Sequence, residues 1–356
     1  RRAPSRRPLR TPGPLAAGLT GITMADLDRL LVDGDLDGLL RLVDETCDAA
    51  DWEALERVAT QSRLAIERGH QLWPAADHAE HRLALQAPAP FAAAAVVRDA
   101  TTFGVAPLAE VAASSHPWVD LEPHLPSDVG AIRAVVAHER VARGEDLTAV
   151  DLVDDPFGLP LRLAAWEPTT NGPTIGPYTV DDPVPPPGSL QPNPGSSDPG
   201  GDAHRPAGPE AETARIALRD LVATWTEQSS GAATAVAVVG SGLDAACIAG
   251  RATDAGPVSV RPLATDEAIG LLAWAGASGG AHGRRRGAAR GRFEAWWCAA
   301  ALGGLDGPNE VWPPDPDELG DAVAEMGWWR WDGAQRPAGW FLGIAVDDPA
   351  AGLAWA

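Results

Sequence analysis

The sequence predicts an α+β protein: an N-terminal all-α helical array, a flexible Pro/Gly-rich linker, and a small C-terminal α+β (or α/β) domain. Three observations predict it. From Met24 to Trp166 apolar residues recur at helical spacing, with little of the two-residue alternation of a half-buried strand. From Glu167 to Ala211 the chain is dense in Pro, Gly and Ser, as in Pro185-Pro186-Pro187-Gly188 and Pro194-Gly195-Ser196-Ser197. From Glu212 to Ala356 helical stripes alternate with short runs of β-formers, which points to mixed elements. The expected organisation is a basic disordered tail over 1–23, a helical domain over 24–166, the linker over 167–211 and the α+β domain over 212–356.

The tail carries Arg1, Arg2, Arg6, Arg7 and Arg10 and no acid. Ser5-Arg6-Arg7-Pro8-Leu9-Arg10 has the outline of a twin-arginine export signal. The apolar run that follows, Leu15 to Ile22, is short and broken by glycine, and no A-x-A site precedes the acidic region. An upstream extension before a start at Met24 is therefore expected. Beyond it, Leu36, Leu39, Leu40, Val43 and Cys47 form one apolar stripe. Trp52, Leu55, Val58, Ala59, Ser62 and Ile66 form the next, with Asp51 suited to cap the free amides of its first turn and Gly69 to close it. Further helices are expected from Pro74 to Gln86, Pro90 to Asp99 and Asp128 to Arg143. The echo of Asp26–Leu31 in Asp35–Leu40 has a nine-residue offset, too short for a solenoid repeat.

In the C-terminal region Ala214, Ala217, Leu221, Val222 and Trp225 make a helical face. Thr234 to Val239 and Val258 to Arg261 suit strands, and Leu243 to Arg251 a helix. Thr265 is a candidate N-cap, with Asp266 and Glu267 placed favourably against the helix dipole. Phe293, Trp296, Trp297, Ala300, Ala301 and Leu305 stripe another helix. Asp315-Pro316-Asp317-Glu318 is a capping box with proline in its first turn, opening a helix through Met326. Trp328 to Asp332 and Gly339 to Val346 suit a strand pair. Alternation there sends Trp329 and Trp331 to one face, Trp328 and Arg330 to the other.

Composition narrows the function classes. The formal net charge is −21, which opposes general affinity for nucleic acid. Every one of the 28 basic residues is arginine, the mark of a GC-rich genome. Cys47, Cys247 and Cys298 lie far apart without a C-x-x-C pair, which suits a reducing cytoplasm and excludes a disulfide scaffold or cysteine-rich zinc site. No apolar run is long enough for a membrane span. The expectation is a cytoplasmic protein with no nucleic-acid or membrane partner.

Three motifs carry candidate chemistry. His78-Ala79-Glu80-His81 matches the H-x-E piece of zinc deaminases, and His78 and His81 lie one helical turn apart. The P-C-x-x-C partner is absent from the sequence, so solvated histidines on an amphipathic helix are expected, with no metal and no cofactor. Gly240-Ser241-Gly242-Leu243-Asp244 joins a strand to a helix, as phosphate-binding loops do, but in an order that resembles the S-G-G-x-D loop of ATP pyrophosphatases only in part. A tight turn is the expectation there. The segment Ser278 to Arg292 sets five arginines and a histidine in a glycine-rich stretch without an acid. Such a stretch can present amides and guanidiniums to an anion, which makes His282, Arg284, Arg285, Arg286, Arg290 and Arg292 the candidate ligand-binding residues. The competing expectation pairs these arginines with the protein's own carboxylates.

The run from Ser278 to Trp297, with the tryptophan-rich strands ending at Trp340-Phe341-Leu342, resembles the C-terminal part of an actinomycete protein family of unassigned function. That resemblance implies a similar source and fold, and brings no activity and no site residues. The leading functional expectation is a non-enzymatic protein-interaction or regulatory protein with a protein partner. The alternatives are an enzyme or binder of an anionic small molecule using the arginine segment, and a nucleotide-binding enzyme using the Gly240–Asp244 turn.

Overall fold

The computed structural model describes residues 24–98, 108–126, 130–168, 178, 196–197, 205–280, 282–307, 310–335 and 340–356. The basic tail and most of the expected linker lie outside the described residues. The protein is α+β.

Among the described residues eight α-helices build the N-terminal array: α1 (Met24–Asp33), α2 (Leu36–Asp48), α3 (Trp52–Glu67), α4 (Trp73–Gln86), α5 (Ala89–Val97), α6 (Leu108–Ser115), α7 (Trp118–Leu121) and α8 (Gly130–Ala142). The caps are local. Asp35 Oδ1 accepts from the Gly38 amide at 2.8 Å and Asp51 Oδ1 from the Ala54 amide at 3.0 Å, each satisfying a first-turn donor that the helix leaves open. Helix α4 packs against α2, α3, α5 and α6 at once. Its Ala75, Ala76, Ala79 and Ala84 are fully buried, and side chains that small let neighbours approach on several sides. Leu39, Leu55, Leu83, Leu121 and Val136 fill the space between. The pair α6 and α7 was not among the expected helices. Ala109, Ala112, Ala113, Ser114 and Ser115 are short side chains whose apolar contrast is too low to mark a stripe.

The C-terminal half contributes α9 (Glu212–Asp220), α10 (Ala223–Glu227), α11 (Gly242–Ala252), α12 (Thr265–Ala277), α13 (Ala288–Leu302) and α14 (Pro316–Glu325). Its strands are β3 (Ala237–Val239), β4 (Val258–Pro262), β5 (Gly327–Gly333), β6 (Gly343–Asp348) and β7 (Leu353–Trp355). Two short strands from the Pro/Gly-rich stretch, β1 (Ser196–Ser197) and β2 (Arg205–Pro206), pair at the outer edges. The sheet runs β1-β4-β5-β6-β7-β3-β2, and every pairing is antiparallel.

Side chains alternate across this sheet with the strand period of two. Trp328, Val346 and Trp355 pack with α12 and α13, while Trp331 and Ala345 pack with Ala246 and Ala249 of α11. Trp329 joins the α11 side, as the alternation of β5 requires. The helical face from Ala214 to Trp225 is broken into α9 and α10 at Leu221–Val222. Helix α12 begins at Thr265 itself, so Ala264 holds the capping position and the Thr265 hydroxyl makes no cap. Asp315 does cap α14, accepting from the amides of Asp317 and Glu318 at 2.9 and 3.2 Å.

Helices α12 and α13 pack in close contact at Gly291. A Cβ there would fall inside contact distance of the Ala273 carbonyl oxygen and would press on the Ala277 side chain. Gly291→Ala should therefore destabilise the protein by roughly 1–3 kcal/mol through overpacking, despite alanine's better helix propensity. Urea denaturation checks this; a variant as stable as the parent would show that the two helices can separate freely.

Candidate functional site

The arginine segment lies between the two halves of the chain. Its glycine-rich part leads from the end of α12 to Gly287, whose φ of 95° at the N-cap of α13 is natural only for glycine. Helix α13 then takes up Arg290 and Arg292. The backbone is pinned by the Arg286 amide, which donates to the Ala277 carbonyl at 2.7 Å.

Arg285, Arg286, Arg290 and Arg292 meet carboxylates of the same chain. The buried Arg285 reaches α6 and forms a two-bond fork with Glu110, Nε to Oε2 at 2.8 Å and Nη2 to Oε1 at 2.6 Å. Arg292, equally buried, forms the same fork with Glu167, at 2.7 and 2.8 Å. Its remaining donors reach the carbonyls of Pro160 and Arg162, both at 3.0 Å. Arg286 and Arg290 each donate to Glu294 Oε1 at 2.8 Å. Arg290 also lies over the Phe293 ring, 5.0 Å from its centroid. His282 and Arg284 are exposed.

Around Glu110 the pairs become a network. Tyr178 donates its hydroxyl to Glu110 Oε2 at 2.6 Å, bringing a buried residue of the Pro/Gly-rich stretch into the core. Arg143, in the turn just after α8, donates to the Glu110 carbonyl at 3.3 Å and to Glu139 Oε2 at 2.8 Å. Glu139 Oε1 accepts from the Ala289 amide at 2.8 Å, which ties α8 to the first turn of α13. Burial opposes ionisation of Glu110, but Arg285, Arg143 and the Tyr178 hydroxyl outweigh it and hold its carboxyl below the ordinary range. Burial, reinforced by the nearby Glu110 charge, pushes the Glu139 carboxyl up to about 7. Tyr178 is pushed well above the usual phenol range, chiefly by burial and then by Glu110.

The other motifs have their own partners. His78 Nε2 lies 3.2 Å from Asp44 Oδ1, Glu80 accepts from Arg63, and His81 packs near the Tyr178 ring, with centroids 6.2 Å apart. Among the described residues no group of three or more His, Cys, Asp or Glu is placed to hold a metal ion. At the Gly240 turn, Ser241 and Asp244 form a reciprocal capping box, and the Gly242 amide donates to Asp347 Oδ2 at 2.8 Å. Carboxylates thus stand where a phosphate would have to accept from these amides.

One constellation was not singled out from the sequence. His138 on α8, fully buried, has Nε2 2.9 Å from Asp155 Oδ2, and the Phe157 ring meets it edge-on at 5.1 Å. Separated by 17 residues and irregular chain, the pair has no spacing signature. It resembles the base-and-orienter part of a triad, with the imidazole buried and the Asp155 side chain partly exposed. All three cysteines are buried, and burial pushes the Cys47 thiol up to about 11 and that of Cys298 higher still, away from the reactive thiolate.

What the geometry defines is an α+β protein with its conspicuous charges turned inward, joining a helical array to a sheet half through buried ion pairs. The chain belongs to a family of unknown function, DUF6183, whose model matches residues 37–354. That match takes in the N-terminal helices from α2 onward as well as the C-terminal half. Comparison with curated proteins and with solved structures finds no match. No helix among the described residues is long and apolar enough to cross a membrane.

Proposed function

We propose that this chain is a non-enzymatic interaction or regulatory protein in which the arginine segment is the joint that sets the helical array against the sheet half. One observation carries the reading: Arg285, Arg286, Arg290 and Arg292 each donate to a carboxylate of the chain itself. A guanidinium already forked onto a buried carboxylate has little left to offer an external anion. The buried thiols and the buried His138 imidazole point the same way, since a reactive group must be reachable. The partner is a protein, met in a reducing cytoplasm that keeps the three thiols free. The lysine-free composition fits a high-GC actinomycete source.

A second reading, a binder of an anionic small molecule, rests on His282 and Arg284, which are exposed on the same segment. A thermal-shift series on the full chain with inorganic phosphate, pyrophosphate and ATP separates the two. The joint reading expects no stabilisation by any of them in the parent, and clear destabilisation in Arg285→Ser. Stabilisation that rises with ligand concentration and disappears in Arg284→Ser would transfer the segment to the anion-binding reading.

A further inference from the structure

The two adjacent tryptophans of α13 have opposite surroundings. Trp296 is fully buried against the Trp166 ring, whereas Trp297, about 100° further round the helix, is 37% exposed. Trp297 is the outer rung of a ladder of rings. Its centroid lies 5.4 Å from that of Trp312, which lies 5.4 Å from Phe293, which in turn lies 5.8 Å from Phe157. The Trp312 indole donates to the Phe157 carbonyl at 2.9 Å, so the chain around each of these residues is fixed against α13. Both chain segments add an exposed apolar side chain, Val153 at 68% and Val311 at 79%. Single exposed apolar side chains are ordinary. Three of them on elements that meet at one ring make a shelf, and apolar surface rimmed by charge is the anatomy of a protein-binding site.

The rim of the shelf carries one sign. No basic residue occurs between Arg143 and Arg162 or between Arg292 and Arg330. Asp151 and Asp154 stand exposed to either side of Val153 in the chain, as Glu310 and Asp315 do around Val311 and Trp312. At the far end of the ladder Arg290 lies over the Phe293 ring and is paired with Glu294. The Pro/Gly-rich stretch of the chain is a poor complement to such a rim. From Glu167 to Ala203 it carries Asp181, Asp182, Asp198 and Asp202 and no arginine.

Going beyond the interaction reading above, we propose that the shelf of Phe293, Trp312 and Trp297 is the docking site for an arginine- and proline-containing segment of a partner protein, bound in extended form. Guanidinium groups lie flat on indole faces and fork onto carboxylates at their edges, and this surface sets the two side by side. Proline rings pack between tilted indoles and hold the segment extended before it binds. The carbonyls of an extended backbone are unpaired, so one of them accepts from the Trp297 indole. Because the rings are already fixed by one another, docking orders little on the side of this chain.

Isothermal titration calorimetry of the full chain with a synthetic peptide of alternating arginine and proline reads the shelf. The peptide should bind with a Kd below about 1 mM, and at least about tenfold more weakly to Trp297→Ala. A lysine–glycine peptide of the same length and charge should be weaker than the arginine–proline peptide by about the same factor, since it has neither ring nor planar cation. No binding by the parent, equal affinity for the two peptides, or equal affinity of parent and variant overturns the proposal. Should Trp297→Ala fail to fold, Val311→Ser carries the test, with affinity expected to fall about threefold. Unchanged affinity there overturns the proposal as well. Two further outcomes give the shelf to another occupant and so overturn it. Peptide binding that appears only after Arg1, Arg2, Arg6, Arg7 and Arg10 are changed to serine assigns it to the chain's own basic segment. A dimer that Trp297→Ala dissolves assigns it to a second copy. None of these results touches the coupling of Arg285 and Glu110, on which the joint reading stands or falls.

Discussion

Replacing Arg292 by alanine should destabilise the protein by about 3–5 kcal/mol, as breaking one partner out of a buried ion pair does. Both side chains are nearly inaccessible, at 4% for Arg292 and 3% for Glu167. Removing the guanidinium strands the Glu167 carboxylate and leaves the Pro160 and Arg162 carbonyls without their side-chain donor. It also removes the cation that lies 5.7 Å from the centroid of Trp296, a fully buried ring. Lysine at this position should recover only part of the loss, because one ammonium cannot reproduce a planar fork that also reaches two carbonyls. Equilibrium urea denaturation measures both variants. An alanine variant within about 0.5 kcal/mol of the parent would place Arg292 among ordinary surface residues.

Glu110→Ala should cost a similar amount for a different reason. Its carboxylate accepts from Arg285 twice and from Tyr178 once, so its loss leaves a buried guanidinium and a buried phenol without their acceptor. The effect should also spread in space. Tyr178 belongs to the Pro/Gly-rich stretch, Arg285 to the segment before α13 and Glu110 to α6, so one deletion loosens three separate parts of the chain. Limited proteolysis should then cut near residue 178 and near 284–287 at lower protease concentrations than in the parent. Glu110→Gln, which keeps the shape and one acceptor oxygen, should fall between the parent and alanine.

The fold was legible where periodicity and capping chemistry agree. The stripe from Leu36 to Cys47, the Asp51 and Asp315 caps and the alternation from Trp328 to Trp331 each state a local geometry that packing had no reason to overrule. Helix α6 was not legible because alanine and serine carry little apolar contrast, and α7 because four residues are too few to show a helical period. Thr265 was misplaced by one position because a cap depends on where the helix axis begins, which packing decides. The site was legible only by half. Local charge opposed to the global sign drew attention to Arg284–Arg292, and pairing with internal carboxylates was weighed as one of its two explanations. The identities of those carboxylates were hidden. Glu110 and Glu167 lie 175 and 125 positions from their arginines, and no spacing rule connects residues across such distances. Glu139 and His138 were hidden for the same reason: their character comes from burial, which a linear sequence does not display.

The central claim is that the arginine segment joins the two halves of the chain, and a double-mutant cycle on Arg285 and Glu110 tests it most directly. Arg285→Ala, Glu110→Ala and the double variant would be compared with the parent by urea denaturation. The joint predicts that the two losses overlap, with the double variant more stable than their sum implies by about 2–3 kcal/mol, the upper range for contacting residues. Losses that add to within about 0.5 kcal/mol would mean that the two side chains do not depend on each other, and would contradict it.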